Sequence, residues 1–161
     1  MKAVVQRVLD AEVSVGGKIS GRISAGLLVY LGVARDDAGA DADWLAEKIP
    51  NLRIFDDPDG KMNLSLKDRE AGSADVPPGP QAGVLAVSQF TLLGDARKGR
   101  RPSWGGAAEP EKAKKLYEYF VEKIRAQGLV CECGVFQARM RVTYTNDGPV
   151  TILLDSRDVA C

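Results

Sequence analysis

The chain has 161 residues, 45% of them hydrophobic, which is enough for one domain with a real core and too short for two comfortable ones. Lys and Arg (22) balance Asp and Glu (22), so any nucleic-acid contact must come from a local basic patch and not from global charge. Histidine is absent, which removes Ser-His-Asp and Cys-His catalysis and the commonest metal ligand. No metal and no cofactor are expected.

From the N-terminus, residues 2–15 read as a strand. Gln6, Arg7 and Asp10 break any signal-peptide core, and no apolar run approaches membrane-spanning length, so a cytosolic protein away from membranes is expected. Gly16-Gly17 turns the chain into a return strand, Lys18–Ile23, and "GLLVYLGV" (26–33) reads as a buried strand. A helix is predicted from Asp41, as N-cap, to about Ile49, with Trp44, Leu45 and Ile49 inward, and Pro50 should end or kink it. "RIFDDPDGKM" looks like two short strands about Pro58-Asp59-Gly60. Residues 71–83, rich in Gly, Pro and Ala, read as a mobile surface loop. A strand at 84–93 follows, then a helix at 109–127 with Pro110 in its first turn, an apolar stripe through Ala113, Leu116, Tyr117, Phe120, Val121 and Ile124, and Gly128 after its end. Strands are expected at 129–135, 140–146 and 150–155.

Some residues stand out against this pattern. Arg7 shares a period-2 face with Ala3, Val5, Leu9, Ala11, Val13 and Val15. A guanidinium buried there without a partner is costly, so it donates to carbonyls or a carboxylate, or else a bulge turns it outward. "SQFTL" (88–92) ends an apolar strand, with Gln89 and Thr91 expected on one face and Ser88 and Phe90 on the other; it is either a site or an ordinary strand terminus. "RKGRRPSW" (97–104) supplies the local basic patch, Arg97, Lys98, Arg100 and Arg101, followed by an aromatic residue. It suits phosphates or is a solvated loop. Cys131, Cys133 and Cys161 are too few and too oddly placed for a disulfide framework, and the Cys131-x-Cys133 pair is read as plain strand residues. Lastly, "TNDGPVT" (145–151) holds Gly148-Pro149 between two strand-like runs, although Asn146-Asp147-Gly148 would already make a turn. An X-Pro bond adopts cis at a modest cost of about 0.5–1 kcal/mol.

"MKAVVQRV", "NLRIFDD…GKMNLSL", "SQFTL", "RKGRRPS" and "NDGPVT" occur in this order over nearly the whole chain, and together they resemble the D-aminoacyl-tRNA deacylases. Pro50 and the length of the 71–83 loop depart from the family pattern, away from the matched motifs. The resemblance implies a homodimeric enzyme of translation quality control that hydrolyses the ester between a D-amino acid, or mischarged glycine, and the 3′ end of tRNA. It further implies that Gly148-Pro149 is a cis pair inserted from one subunit into the site of the other, where it rejects L-residues, with Arg7 and Asn146 beside it. By the same resemblance Ser88, Gln89, Phe90 and Thr91 form the catalytic stretch, and Phe136 and Met140 line the adenosine pocket. Thr91 is one candidate nucleophile. The preferred reading instead has the terminal adenosine 2′-hydroxyl help to activate water, Gln89 orient it, and backbone N–H groups around Gln89 and Phe90 hold the oxyanion. Two rivals remain on sequence grounds: a non-enzymatic RNA-binding module using Arg97, Lys98, Arg100 and Arg101, and a thiol or hydroxyl hydrolase using Cys131 or Thr91. The expected architecture is α+β, a mixed, strongly curved, barrel-like sheet with two main helices against it, as one domain over 1–161.

Overall fold

The computed structural model describes residues 1–71 and 82–158. The loop expected at 71–83 therefore falls almost wholly outside the described residues; Ala71 closes a helix and Gly83 opens a strand.

The sheet is organised by β1 (Lys2–Val15), which is long enough to take three antiparallel partners. On one edge its first half pairs with β3 (Gly26–Gly32) and its second half with β2 (Lys18–Ile23). On the other edge it pairs with β8 (Met140–Asp155). Beyond β3 lie β6 (Gly83–Ser88) and β7 (Cys131–Cys133), both parallel to their neighbour. Parallel pairing needs crossovers, and these carry the helices: α1 (Gly39–Lys48) between β3 and β6, and α3 (Pro110–Arg125) between β6 and β7. A short hairpin, β4 (Phe55–Asp56) with β5 (Met62–Leu64), and α2 (Leu66–Ala71) complete the first crossover. The sheet is thus mixed, and the fold is α+β as expected.

Both faces of the sheet are buried. Ala3, Val5, Leu27, Val29, Leu31, Val84 and Ala86 pack against Leu45 and Ile49 of the α1 region and Tyr117, Phe120 and Ile124 of α3. On the opposite face Val8, Ala11 and Val13 of β1 meet Ile23, Leu28, Leu85 and Val87, with Val142 and Tyr144 of β8 against them. β8 at one end of the sheet and β6, next to the other end, share this second cluster, so the sheet curls around it toward a barrel.

Several local expectations are corrected. The first helix is capped at Ala38, and Asp41 sits three residues in, where its carboxylate accepts the Ala38 N–H at 2.7 Å. Pro50, by contrast, ends the α-helix as expected: α1 stops at Lys48, and Pro50 falls in a 3₁₀ turn, Ile49–Asn51, that follows it. The strand expected at 84–93 stops at Ser88, and Phe90–Leu93 form a second 3₁₀ turn. Strand 129–135 shrinks to Cys131–Cys133. The segments 140–146 and 150–155 are one strand, since both run antiparallel to the same β1. Leu9 leaves the apolar face: Val8 pairs with Asn146 and Asp10 with Thr145, so Leu9 is the extra residue of a bulge and lies exposed.

Candidate active site

The end of β6 decides where chemistry could sit. Ser88 is paired with Leu31 of β3, and the Gln89 N–H continues that ladder by donating to the Leu31 carbonyl at 2.8 Å. The chain then tightens into the 3₁₀ turn, whose first N–H groups, those of Phe90 and Thr91, have no carbonyl behind them within the turn. Gln89 also points its side-chain amide at the Thr91 hydroxyl. Of the two backbone donors expected around Gln89 and Phe90, the Gln89 N–H is therefore already committed, and the Phe90 N–H remains.

This turn forms one wall of a cleft of about 520 Å³. Ser88, Gln89 and Phe90 line it from β6, and Phe136 and Met140 from the segment entering β8. The five therefore converge although about fifty residues separate the two groups in the chain. Thr91 is not among the lining residues and is exposed, its hydroxyl held by the Gln89 amide. Sequence reading missed the other lining residues, among them Tyr117 of α3, whose ring lies 6.0 Å from that of Phe136, and Ala107, Ala108 and Pro110 at the start of that helix. Tyr117 was legible only as a core residue of an amphipathic helix. Its hydroxyl donates to the Ala86 carbonyl at 2.8 Å, which fixes the ring beneath the cleft. Burial raises its pKa far above that of a free phenol, so it is a neutral wall and not a base.

The thiol alternative fails here. Cys131 is buried, and burial pushes its pKa up to about 12, so the nucleophilic thiolate is scarce. Cys133 is likewise free but only half-buried. Among the described residues no three Cys, Asp or Glu side chains converge to hold a metal ion.

Gly148-Pro149 lies elsewhere on the sheet. Gln6 of β1 pairs with Thr151 and Val8 with Asn146. Four residues, Asp147 to Val150, thus stand opposite the single residue Arg7, and the surplus chain is pushed out as a protrusion with Gly148 and Pro149 exposed at its tip. Its neck is pinched by Asn146, whose side-chain amide donates to the Arg7 carbonyl at 2.9 Å and the Val150 carbonyl at 3.2 Å, while Gln6 donates to Asn146 and Thr151. Arg7 stays inside, 6% exposed, and its Nη1 donates to the Ile54 carbonyl at 2.7 Å and to Asp56 at 3.2 Å. Nε lies 2.9 Å from Asp147 Oδ2 but has no aligned acceptor, so this contact is a charge pairing and not a hydrogen bond. The partner demanded by an arginine on an apolar face is thus both a carbonyl and a pair of carboxylates. Gly148 adopts φ +106°, and a Cβ there would meet Val150 Cγ2 at 2.9 Å and Arg7 Nη2 at 3.0 Å.

One expectation is overturned at this point. No peptide bond among the described residues is cis, so the Gly148-Pro149 bond is trans. The reversal at the protrusion is made by the positive φ of Gly148 and the four-against-one register.

The basic stretch is a loop between the 3₁₀ turn and α3. Asp95 and Ser103 exchange two backbone hydrogen bonds of 2.8 Å, so residues 96–102 form a small closed tip. Arg97 is paired with Asp95 through both Nε and Nη2, and the Arg97 side chain and N–H hold the Asp95 carboxyl well below the usual range. Lys98, Arg100 and Arg101 are exposed.

A family model described as D-Tyr-tRNA(Tyr) deacylase matches residues 4–155. The chain belongs to this family. It is 62% identical over 157 residues to the D-aminoacyl-tRNA deacylase of Koribacter versatilis, covering 98% of both chains, and 59% identical over 157 residues to that of Kosmotoga olearia, again covering 98% of both. Among solved structures, the c-Myc DNA Unwinding Element Binding Protein superposes with a TM-score of 0.84 at 38% identity, over 96% of this chain and 98% of that one. A probable eukaryotic D-amino acid tRNA deacylase, 17% identical with a TM-score of 0.76 over 95% of this chain and 97% of that one, shares the family fold.

Proposed function

We propose that the chain is a D-aminoacyl-tRNA deacylase, hydrolysing the ester between a D-amino acid, or glycine, and the 3′ end of tRNA. The observation that carries this reading is the convergence of Ser88, Gln89 and Phe90 with Phe136 and Met140 around one cleft, in a chain of this family. The aromatic and thioether groups suit an adenine, and Ser88 and Gln89 suit the ribose and the ester. Water attacks the ester carbonyl, the oxyanion turns toward the Phe90 N–H, and collapse of the adduct returns the 3′-oxygen to the ribose with a proton. With no histidine in the chain, the neighbouring 2′-hydroxyl assists the attack and Gln89 orients the water. No metal or other cofactor enters the scheme. The basic tip, through Lys98, Arg100 and Arg101 and in part Arg97, receives tRNA phosphates.

Chiral selection is assigned to the Gly148-Pro149 protrusion. Among the described lining residues of the cleft neither Gly148, Pro149 nor Arg7 appears, so a protrusion acting there arrives from a second copy of the chain. A homodimer is supported by β8, which pairs only with β1 among the described strands and exposes Leu153. A rigid backbone wall facing the α-carbon admits hydrogen or a D side chain and excludes an L side chain by collision. Asn146 pinches the neck and Arg7 holds the tip. The enzyme would act in the cytoplasm, where aminoacyl-tRNA is used, and no described helix is long and apolar enough to cross a membrane.

The deciding assay offers D-tyrosyl-, glycyl- and L-tyrosyl-tRNA to micromolar protein. Release of D-tyrosine and glycine with L-tyrosyl-tRNA spared is expected; binding without turnover would instead favour an RNA-binding module. Thr91→Ala is expected to keep kcat within about threefold, because the hydroxyl lies outside the cleft lining and is held by Gln89. Near-complete loss of kcat in a folded variant would return Thr91 to the role of nucleophile.

A further inference from the structure

Trp104 has no part in the scheme above. Its ring meets Phe90 edge-to-face, with centroids 5.3 Å apart and planes at 74°. Phe90 is a wall of the cleft and is 57% exposed, and Trp104, packed against it, is 40% exposed, so both rings stay partly open to solvent beside the cleft. Exposed rings of this size in contact are not explained by core packing. Their position is also built. The indole lies so close over Gly94 that a Cβ on that residue would come within 2.6 Å of Trp104 Cζ3. The preceding residue, Ser103, is tied to Asp95 by the backbone pair that closes the basic tip. Phe90 of the cleft wall, Trp104 against it, and the basic tip of Lys98, Arg100 and Arg101, joined to Trp104 through Ser103, are thus contiguous.

We propose that Trp104 is a stacking platform for the nucleotide that precedes the terminal adenosine of the RNA 3′ end. The inference rests on the deacylase reading of the cleft, since that reading places the last adenosine against Phe90. The unpaired base one step back must then leave the cleft at its mouth, where Trp104 offers the open aromatic surface, and the phosphates upstream reach the cationic tip. Aromatic stacking beside a basic track is a general mode of single-strand recognition, and it tolerates any base. Charge complementarity selects the occupant: an apolar peptide would leave three exposed cations beside it without counter-charge, whereas a single-stranded RNA end supplies both bases and phosphates. Trp104 so placed contributes to substrate binding and does not touch the ester.

The test uses the fluorescence of Trp104 in the full chain, with Trp44→Phe to silence the other tryptophan. Uncharged tRNA is expected to quench the signal, and the same tRNA made abasic at the position before the terminal adenosine is expected not to. Trp104→Ala should weaken the Kd of intact tRNA about tenfold and leave that of the abasic tRNA unchanged, with Trp104→Phe recovering most of the loss. Equal quenching by both tRNAs, or an unchanged Kd in Trp104→Ala, would overturn the platform. The quenching comparison needs no change at Trp104, so it stands even if that variant folds poorly. Because uncharged tRNA is the probe, base-dependent quenching in a chain that hydrolyses no D-aminoacyl-tRNA would sink the deacylase reading alone, and active enzyme with base-independent quenching would sink the platform alone.

Discussion

Arg7→Ala is expected to lower stability and to erase the preference for D- over L-aminoacyl-tRNA together. The guanidinium is the only group on β1 facing the four-residue protrusion, and it bridges the Ile54 carbonyl, Asp56 and Asp147. Its removal leaves a carbonyl and two carboxylates facing an empty volume. Breaking a fully buried ion pair costs about 3–5 kcal/mol, but both carboxylates are partly open to water and solvate themselves, so a loss of roughly 2–3 kcal/mol is expected. For a chain of this size that corresponds to a fall in Tm of about 4–12 °C. A merely structural arginine would lower Tm and leave the ratio of D- to L-tyrosyl-tRNA hydrolysis intact in the folded fraction; a changed ratio marks Arg7 as the residue that positions the tip. Gly148→Ala probes the same point from the other side. Its Cβ would press on Arg7 Nη2 and Val150 at a φ that L-residues rarely adopt, a strain of about 1–3 kcal/mol. It should therefore shift the same ratio with a smaller loss of Tm.

Replacing the terminal 2′-hydroxyl of the substrate by hydrogen is expected to lower kcat by about 10²–10³, the range reached when one preorganised oxyanion donor is lost, while the Kd stays within about threefold. The magnitude follows from how little else the cleft offers. The Tyr117 hydroxyl is held on Ala86 with its proton retained, the Gln89 N–H is spent on Leu31, and Thr91 lies outside the cleft lining. With only backbone N–H groups of the turn left as donors, the substrate's own hydroxyl is expected to carry weight. An unaltered kcat with the deoxy substrate would show that a protein group activates the water.

Much of this was legible in the sequence, and what was not has identifiable causes. Alternation on either side of the Gly16-Gly17 turn predicted β1 and β2, the continuous apolar run predicted β3, which is buried on both faces, and the stripe on α3 predicted its buried side. Alternation failed at Leu9 and after Ser88. In both places the residue types continue the pattern while the backbone leaves it, by a bulge in the first case and a 3₁₀ turn in the second. Helix α2 went unread although Ser65 and Asp68 spell its cap: Ser65 Oγ accepts the Asp68 N–H, and the Asp68 carboxylate accepts the Ser65 N–H. The motif residues Ser88 to Phe90 and Phe136 with Met140 line one candidate cleft. The helix wall at Tyr117 and Pro110 was not legible, because only the crossover between two parallel strands brings α3 over the end of β6. The cis state expected of the Gly148-Pro149 bond does not occur here, and a Gly-Pro pair in a strand interruption is compatible with either isomer.

The way β8 is zipped to β1 has one more consequence. Residues on either side of the protrusion are locked in register, Thr151 to Gln6 and Asn146 to Val8, and a slip of one position would turn Ile152 and Leu154 from the core to water. The base of the protrusion therefore keeps its width whatever happens at its tip. Adding or deleting a residue between Asp147 and Val150 is expected to change the height of the protrusion like a gauge while the barrel beneath keeps its register.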